Sequence, residues 1–200
     1  MSRRWVVATA NPGKLAEIRA LLAGLPIELV TQAELGVDAA DESAITFVEN
    51  ALIKARHAAA RTGLPAIADD SGLTVDALGG LPGVRSARFA GPEADDRANV
   101  ERLLEALDGV PPERRTARFH CVVVALESAE DPAPIIATGA WPGRIALEPA
   151  GTGGFGYDPV FFVEDRGCTA AELPADVKNV ISHRAIAFRR LVEALAERMR

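Results

Sequence analysis

Hydrophobic positions along the 200-residue chain switch repeatedly between a period of two and a period near 3.6. Residues 4–9, RWVVAT, are β-branched and aromatic and predict a short buried strand. Asn11 then reads as a helix N-cap with Pro12 at the first helical position. Leu15, Ile18, Leu21, Leu22 and Leu25 recur at helical spacing with Glu17 and Arg19 facing outward, until Gly24 and Pro26 end the helix and IELV begins a second strand. Thr46 with Glu49 forms a capping box, predicting a helix to about Arg61 ahead of Gly63-Leu64-Pro65. AIADDSGLTVDAL, residues 66–78, predicts strand, turn, strand, and GGLPG a loop. Residues 94–107 place Val100, Leu103, Leu104 and Leu107 on one helical face. ARFHCVVVALE, residues 117–127, is the longest strand pattern, and residues 135–147 predict two strands around Trp141-Pro142-Gly143. GTGGFGYDPVFF predicts a glycine loop running into a strand, and residues 185–198 a closing amphipathic helix. Strands and helices intermix throughout, which points to an α/β fold around one central sheet.

Composition narrows the class. A hydrophobic share of 48% is enough for a real core, and the length suits one domain over residues 1–200 with room for a small lobe. The formal charge of -6 argues against a partner such as a nucleic acid polymer, which needs a basic surface, but leaves room for a nucleotide met by a few local cations. Cys121 and Cys168 form no CxxC spacing and no disulfide framework, and Cys121 sits in an apolar run as a core thiol, so a reducing, cytoplasmic setting is expected. Residues 1–13 do not read as a signal peptide, and no segment approaches the ~20 apolar residues that span a membrane.

Five stretches hold side chains with chemical potential. At TANPGK, residues 9–14, a helix N-terminus with open N–H groups, a glycine that permits close approach and the Lys14 ammonium together suit a phosphate. Read alone, this corner is also an ordinary capped helix with a solvated lysine, and it is no P-loop, which needs GxxxxGK[ST]. In ADDSG, Asp69 and Asp70 on a strand point to opposite faces, so one can address a site as a Mg²⁺ ligand or proton acceptor; a plain turn is an equal reading. Before the second helix, Glu49 has a capping task, whereas Glu42 has none and is the better metal candidate. Asn50, Lys54 and His57 share a helical face, from which Lys54 can reach a phosphate.

The fourth stretch, GTGGFGYDP, formally contains GxGxxG but leads into a proline-broken strand pattern rather than a helix, which rejects a dinucleotide fingerprint. A glycine loop with Phe155 and Tyr157 suits a flat ring instead. The fifth, KNVISHRA, gathers Lys178, His183 and Arg184, donors for a base carbonyl or a phosphate. HExxH, zinc spacing and GxSxG are absent, and the adjacent Ser182 and His183 would diverge, so zinc and serine hydrolase readings lack support.

Taken in succession, TANPGK, TFVENALIKA, ADDSGL, LGGLPGVRSARFAG, GTGGFGYDP and SHRA closely resemble the bacterial inosine/xanthosine triphosphate pyrophosphatase family, over about residues 6–195. GGFGYDP with SHR is the specific part. The resemblance implies an elongated α/β fold with a central mixed β-sheet flanked by helices, two lobes with the active-site cleft between them, and a homodimer. It implies Mg²⁺-dependent hydrolysis of ITP, dITP and XTP to the monophosphate and pyrophosphate, which would remove deaminated purines from the nucleotide pool. By position, Thr9, Ala10, Asn11, Pro12, Gly13 and Lys14 would hold the triphosphate with help from Lys54. Asp70 would be the catalytic carboxylate and a metal ligand, Glu42 a second metal-site acid, and Ser71 a substrate contact. Phe155, Gly156, Tyr157, Asp158, Lys178, His183 and Arg184 would read the base. The family commonly has Gly where Ala10 and Ala44 stand, so Ala10 is expected at negative φ.

These implications fit the chemistry read above. Phosphoryl transfer depends mostly on positioning and charge neutralisation, with Asp70 orienting the attacking water toward the α-phosphorus. Hypoxanthine and xanthine present a 6-oxo acceptor where adenine presents a 6-amino donor, so buried donors reject adenine by a factor of roughly ten thousand. Two alternatives remain at this point: a pyrophosphatase for other modified nucleotides, such as methylated pyrimidine triphosphates, and a nucleotide-binding regulator without turnover.

Overall fold

A computed structural model describes residues 3–198. Its strands are β1 (Arg3–Val7), β2 (Ile27–Thr31), β3 (Ala66–Val75), β4 (Thr116–Leu126), β5 (Ile135–Ile145), β6 (Phe161–Val163) and β7 (Cys168–Thr169). The helices among them are α1 (Pro12–Leu22), α2 (Phe47–Thr62), α3 (Asp96–Ala106), α4 (Ala175–Ile181) and α5 (His183–Arg198). Neighbouring strands follow the order β2-β1-β3-β4-β5-β6-β7 in one mixed sheet, with β1 parallel to β2 and β3, and β6 antiparallel to β5 and β7. The α/β class read from the sequence holds.

The chain divides into two compact units. The first comprises residues 1–70, 121–139 and 184–200, and the second residues 71–120 and 140–183. In the first unit the strand period of two assigns each face its helices. Trp5, Val7 and Ile67 point to the face covered by α1 and α5, where they meet Ile18, Leu22, Phe188, Leu191 and Leu195. Val6, Ala8, Ala66 and Ala68 point to the other face and pack on Ala51, Ala55, Ala58 and Ala59 of α2. Four small residues along one helix stripe let α2 lie close to the sheet. The second unit has its own core of Leu73, Val75, Val100, Leu103, Phe119, Trp141, Tyr157 and Phe161.

The helix caps form as their sequences require. The Asn11 side chain accepts from the Lys14 amide, and Thr46 accepts from the Glu49 amide while donating to the Glu49 carboxylate. Cys121 is buried, as its apolar surroundings imply.

Three expectations need correcting, and two short elements carry no sequence signal. β3 is one strand through Asp69-Asp70-Ser71-Gly72, because a strand lying between β1 and β4 and buried at Asp69 and Asp70 overrides the turn preference of Asp, Ser and Gly. β5 likewise runs unbroken through Trp141-Pro142-Gly143; the β6 register reaches only Arg144 and Ile145, so Pro142 stands beyond it. Helix α4 and the two-residue β7 were too short to show a period. Glu17 is half-buried rather than outward.

The turn after β4 supplies a stability test. Asp131 accepts hydrogen bonds from the Glu127 and Ala133 amides at 2.9 Å each, and these hold its carboxyl below the ordinary aspartate value. A lowered folded-state pKa contributes stability above the unfolded value that is lost as pH falls through the folded one. Asp131→Ala should therefore cost about 1 kcal/mol in urea unfolding at pH 7, through the loss of these two hydrogen bonds. The gap to the parent protein should close in strong acid; an equal gap at all pH values would contradict this.

Candidate active site

The charged side chains of the first unit that the sequence nominates, Lys14, Glu42, Lys54 and Arg184, gather around Asp69 and Asp70 in the middle of β3. At the β1–α1 corner the chain braces itself: Asn11 N–H donates to Thr9 Oγ1 at 3.2 Å, and the Lys14 amide donates to Asn11 Oδ1 at 3.0 Å. Ala10 is exposed and, like the other non-glycine residues described, lacks positive φ, so its Cβ is tolerated there.

Asp69 and Asp70 are adjacent, so they serve opposite faces. Asp70 follows Ala66 and Ala68 toward α2, where Lys54 Nζ donates to its Oδ1 at 2.8 Å and to Glu42 Oε2 at 3.2 Å. Asn50, one helical turn before Lys54, reaches Asp70 Oδ2 at 3.4 Å. The same Asn50 side chain accepts from the Ala44 amide at 3.1 Å and donates to the Ala44 carbonyl at 3.4 Å, tying down the loop that carries Glu42. Ala44 thus works through its backbone, which any residue supplies. Asp69 follows Ile67 toward α1 and α5, where Lys14 Nζ lies 3.3 Å from its Oδ2 and Arg184 Nε 3.5 Å. Arg184 also pairs with Glu17 and is almost fully buried.

Burial acts against both charges of the Asp70–Lys54 pair. For Lys54 it is outweighed by Asp70, Asp69 and Glu42, whose carboxylates hold the ammonium pKa above the usual lysine value. For Asp70 burial wins over the pull of Lys54 and Lys14, and the pKa is raised, which makes it a stronger base than a solvated aspartate. Among the described residues no three His, Cys, Asp or Glu side chains converge as a closed metal cage. Mg²⁺ rarely needs one: it takes one or two carboxylates and completes its shell with water and substrate phosphate. Asp70 and Glu42, hard oxygen donors converging on one ammonium, fit that requirement.

The remaining nominated residues lie in the second unit. Lys178 is buried, donates to Asp158 Oδ2 at 2.6 Å and stands 4.9 Å from the Phe155 ring centroid. Asp158 Oδ2 also accepts from the Phe155 amide at 2.8 Å, and the Gly156 amide donates to Asp96 Oδ2 at 2.7 Å. Tyr157 donates to the Ser86 carbonyl at 2.8 Å, and burial, with Asp96 adding, pushes its phenol pKa well up. Gly154 has φ +72°, and a Cβ there would collide with the Asp158 carboxylate, so this glycine is required by its acid neighbour. His183 stacks on Phe119 at 4.7 Å with an interplanar angle of 10°. Ser71 follows Asp70 on β3 and is half-buried.

Three participants were missed: Asn50 as a clamp on Asp70, Glu17 as partner of Arg184, and Asp96 as the anchor of the glycine loop. The i, i+4 spacing of Asn50 and Lys54 is a signal for the first. Glu17 and Asp96 are separated from their partners by 167 and 60 residues, and local spacing carries no trace of such contacts.

Residues 5–194 match the model of the Ham1 family. The chain belongs to that family. The dITP/XTP pyrophosphatase of Shigella flexneri is 58% identical over 190 residues, covering 95% of this chain and 96% of that protein. The dITP/XTP pyrophosphatase of Escherichia coli K12 is 56% identical with the same coverage. Among solved structures, a HAM1 protein from Coxiella burnetii superposes with a TM-score of 0.91 at 50% identity, covering 98% of this chain and 99% of that one. A nucleoside-triphosphatase / dITP/XTP pyrophosphatase from Mycobacterium abscessus gives a TM-score of 0.74 at 43% identity over 96% and 98% of the two chains.

The raised Asp70 pKa is directly measurable. In a carboxyl-carbon NMR titration Asp70 should titrate above the ordinary aspartate value, and in Lys54→Met, which removes the largest opposing charge, higher still. A downward move in the variant would contradict the assignment.

Proposed function

We propose that this Ham1-family chain hydrolyses purine nucleoside triphosphates carrying a deaminated base, ITP, dITP and XTP, to the monophosphate and pyrophosphate. It is a nucleoside-triphosphate pyrophosphatase. The observation that supports the reading most is the meeting of Asp70 with Lys54 and Glu42 at one strand, in a chain 56–58% identical to proteins named dITP/XTP pyrophosphatases.

In this reading residues 9–14 and Lys54 take the triphosphate. Its roughly four negative charges are met by two ammonium groups and by the N–H groups that open α1. Asp70, raised in basicity by burial, orients the water and accepts its proton as the α-phosphorus is attacked. Asn50 keeps Asp70 and the Glu42 loop in register through its paired contacts. Magnesium, held by Asp70 and Glu42, would supply further neutralisation of the phosphate oxygens when bound. Phe155 to Asp158, Lys178 and His183 take the base, with an aromatic face and donors matched to a 6-oxo acceptor. Family position assigns Arg184 to the base as well, but its guanidinium is buried against Glu17 and Asp69, so in this reading it stands behind Lys14 rather than on the substrate. Ser71, next along the strand, contacts the substrate beside Asp70. A homodimer working in the cytoplasm completes the reading, on the resemblance alone; no described helix is long and apolar enough to cross a membrane.

Two experiments test it. Chromatography of an ITP digest with Mg²⁺ should give IMP and pyrophosphate, whereas IDP and phosphate would identify a γ-phosphatase. Asp70→Asn should lower turnover about 100-fold or more, the usual scale for a lost general base, and near-normal turnover would remove Asp70 from the chemistry.

A further inference from the structure

Asp69, the neighbour of the proposed catalytic acid, has no part in the reaction as written above, yet its carboxylate is wholly out of solvent. A buried carboxylate stays ionised only if cations and hydrogen bonds replace water. Two cations do so here, Lys14 at 3.3 Å and Arg184 at 3.5 Å, and Glu17 balances Arg184 from the far side. These four groups form a neutral set of two acids and two bases inside the first unit. Their exposure is uneven: the Arg184 side chain is 2% exposed and the Lys14 side chain 17%. Arg184 is therefore committed, whereas Lys14 keeps one side open to a ligand.

We propose that Asp69 is a positioning residue for Lys14, fixing where that ammonium stands before substrate arrives, with Arg184 as the fixed counter-ion behind it. The inference rests on the reading of Lys14 as a triphosphate contact. A lysine stem is long and rotatable, and ordering it on binding costs entropy that a preset rotamer has already lost. Arg184 solves the complementary difficulty. When Lys14 turns toward phosphate oxygens, Asp69 still has a guanidinium beside it, so no uncompensated charge is left in the interior. The burial of Arg184 follows from this task.

A double-mutant cycle on ITP hydrolysis tests the proposal, since residues acting through one another fail to add. Lys14→Met should lower kcat/KM about tenfold or more, and Asp69→Asn about fivefold, mostly through KM. The double variant should match Lys14→Met within about twofold. Full additivity would overturn the positioning role and leave the triphosphate reading standing. An unchanged kcat/KM in Lys14→Met would overturn both. A second readout needs no substrate and no Asp69 variant. Lys14→Met should lower the Tm of the ligand-free protein by several degrees, because the buried Asp69 carboxylate loses a cation 3.3 Å away; an equal or higher Tm means Lys14 is not held by Asp69, and overturns the proposal.

Discussion

Two consecutive aspartates on one β-strand must send their carboxylates to opposite faces of the sheet, and the arrangement of the first unit follows from that. Asp70 shares its face with Ala66 and Ala68, so it meets α2 and the Lys54 that α2 carries. Asp69 shares its face with Ile67, so it meets α1 and α5 and their Lys14 and Arg184. A shift of the strand by one residue would exchange the two faces and put alanine where Ile67 packs against α1 and α5. The apolar packing thus fixes which acid meets which cation.

Both acids are buried, and that is what makes them useful. Water would level their pKa values and let the lysines wander. Inside, burial raises Asp70 toward the basicity a proton acceptor needs, while nearby cations keep it from being neutralised outright. Asn50 adds no charge but joins Asp70 to the backbone at Ala44, which ties the loop bearing Glu42 to the strand bearing Asp70. The second unit applies the same economy to an aromatic loop. Asp158 holds Lys178 and the Phe155 amide with one oxygen, and Gly154 is the only residue type that leaves that carboxylate room.

Much of this was legible in the sequence, and the exceptions share a cause. Asn11, Thr46 and the leucine stripe of α1 act over three or four residues, so their spacing announces them. The opposite faces of Asp69 and Asp70 follow from the strand period alone. The turn expected at Asp-Ser-Gly failed because sheet pairing and burial outweigh a local preference, and neither is written in those three residues. Arg184 read only as a donor to a base or phosphate because its partners, Glu17 and Asp69, are 167 and 115 residues away. Short elements such as α4 and β7 carry too few positions for a period to emerge.

A structure of the protein bound to an ITP analogue with a non-hydrolysable α,β bridge addresses the central claim most directly. The account requires phosphate oxygens in contact with both Lys14 and Lys54, and the Asp70 carboxylate one water away from the α-phosphorus. Phosphates bound away from both lysines, or an α-phosphorus out of reach of Asp70, would contradict it.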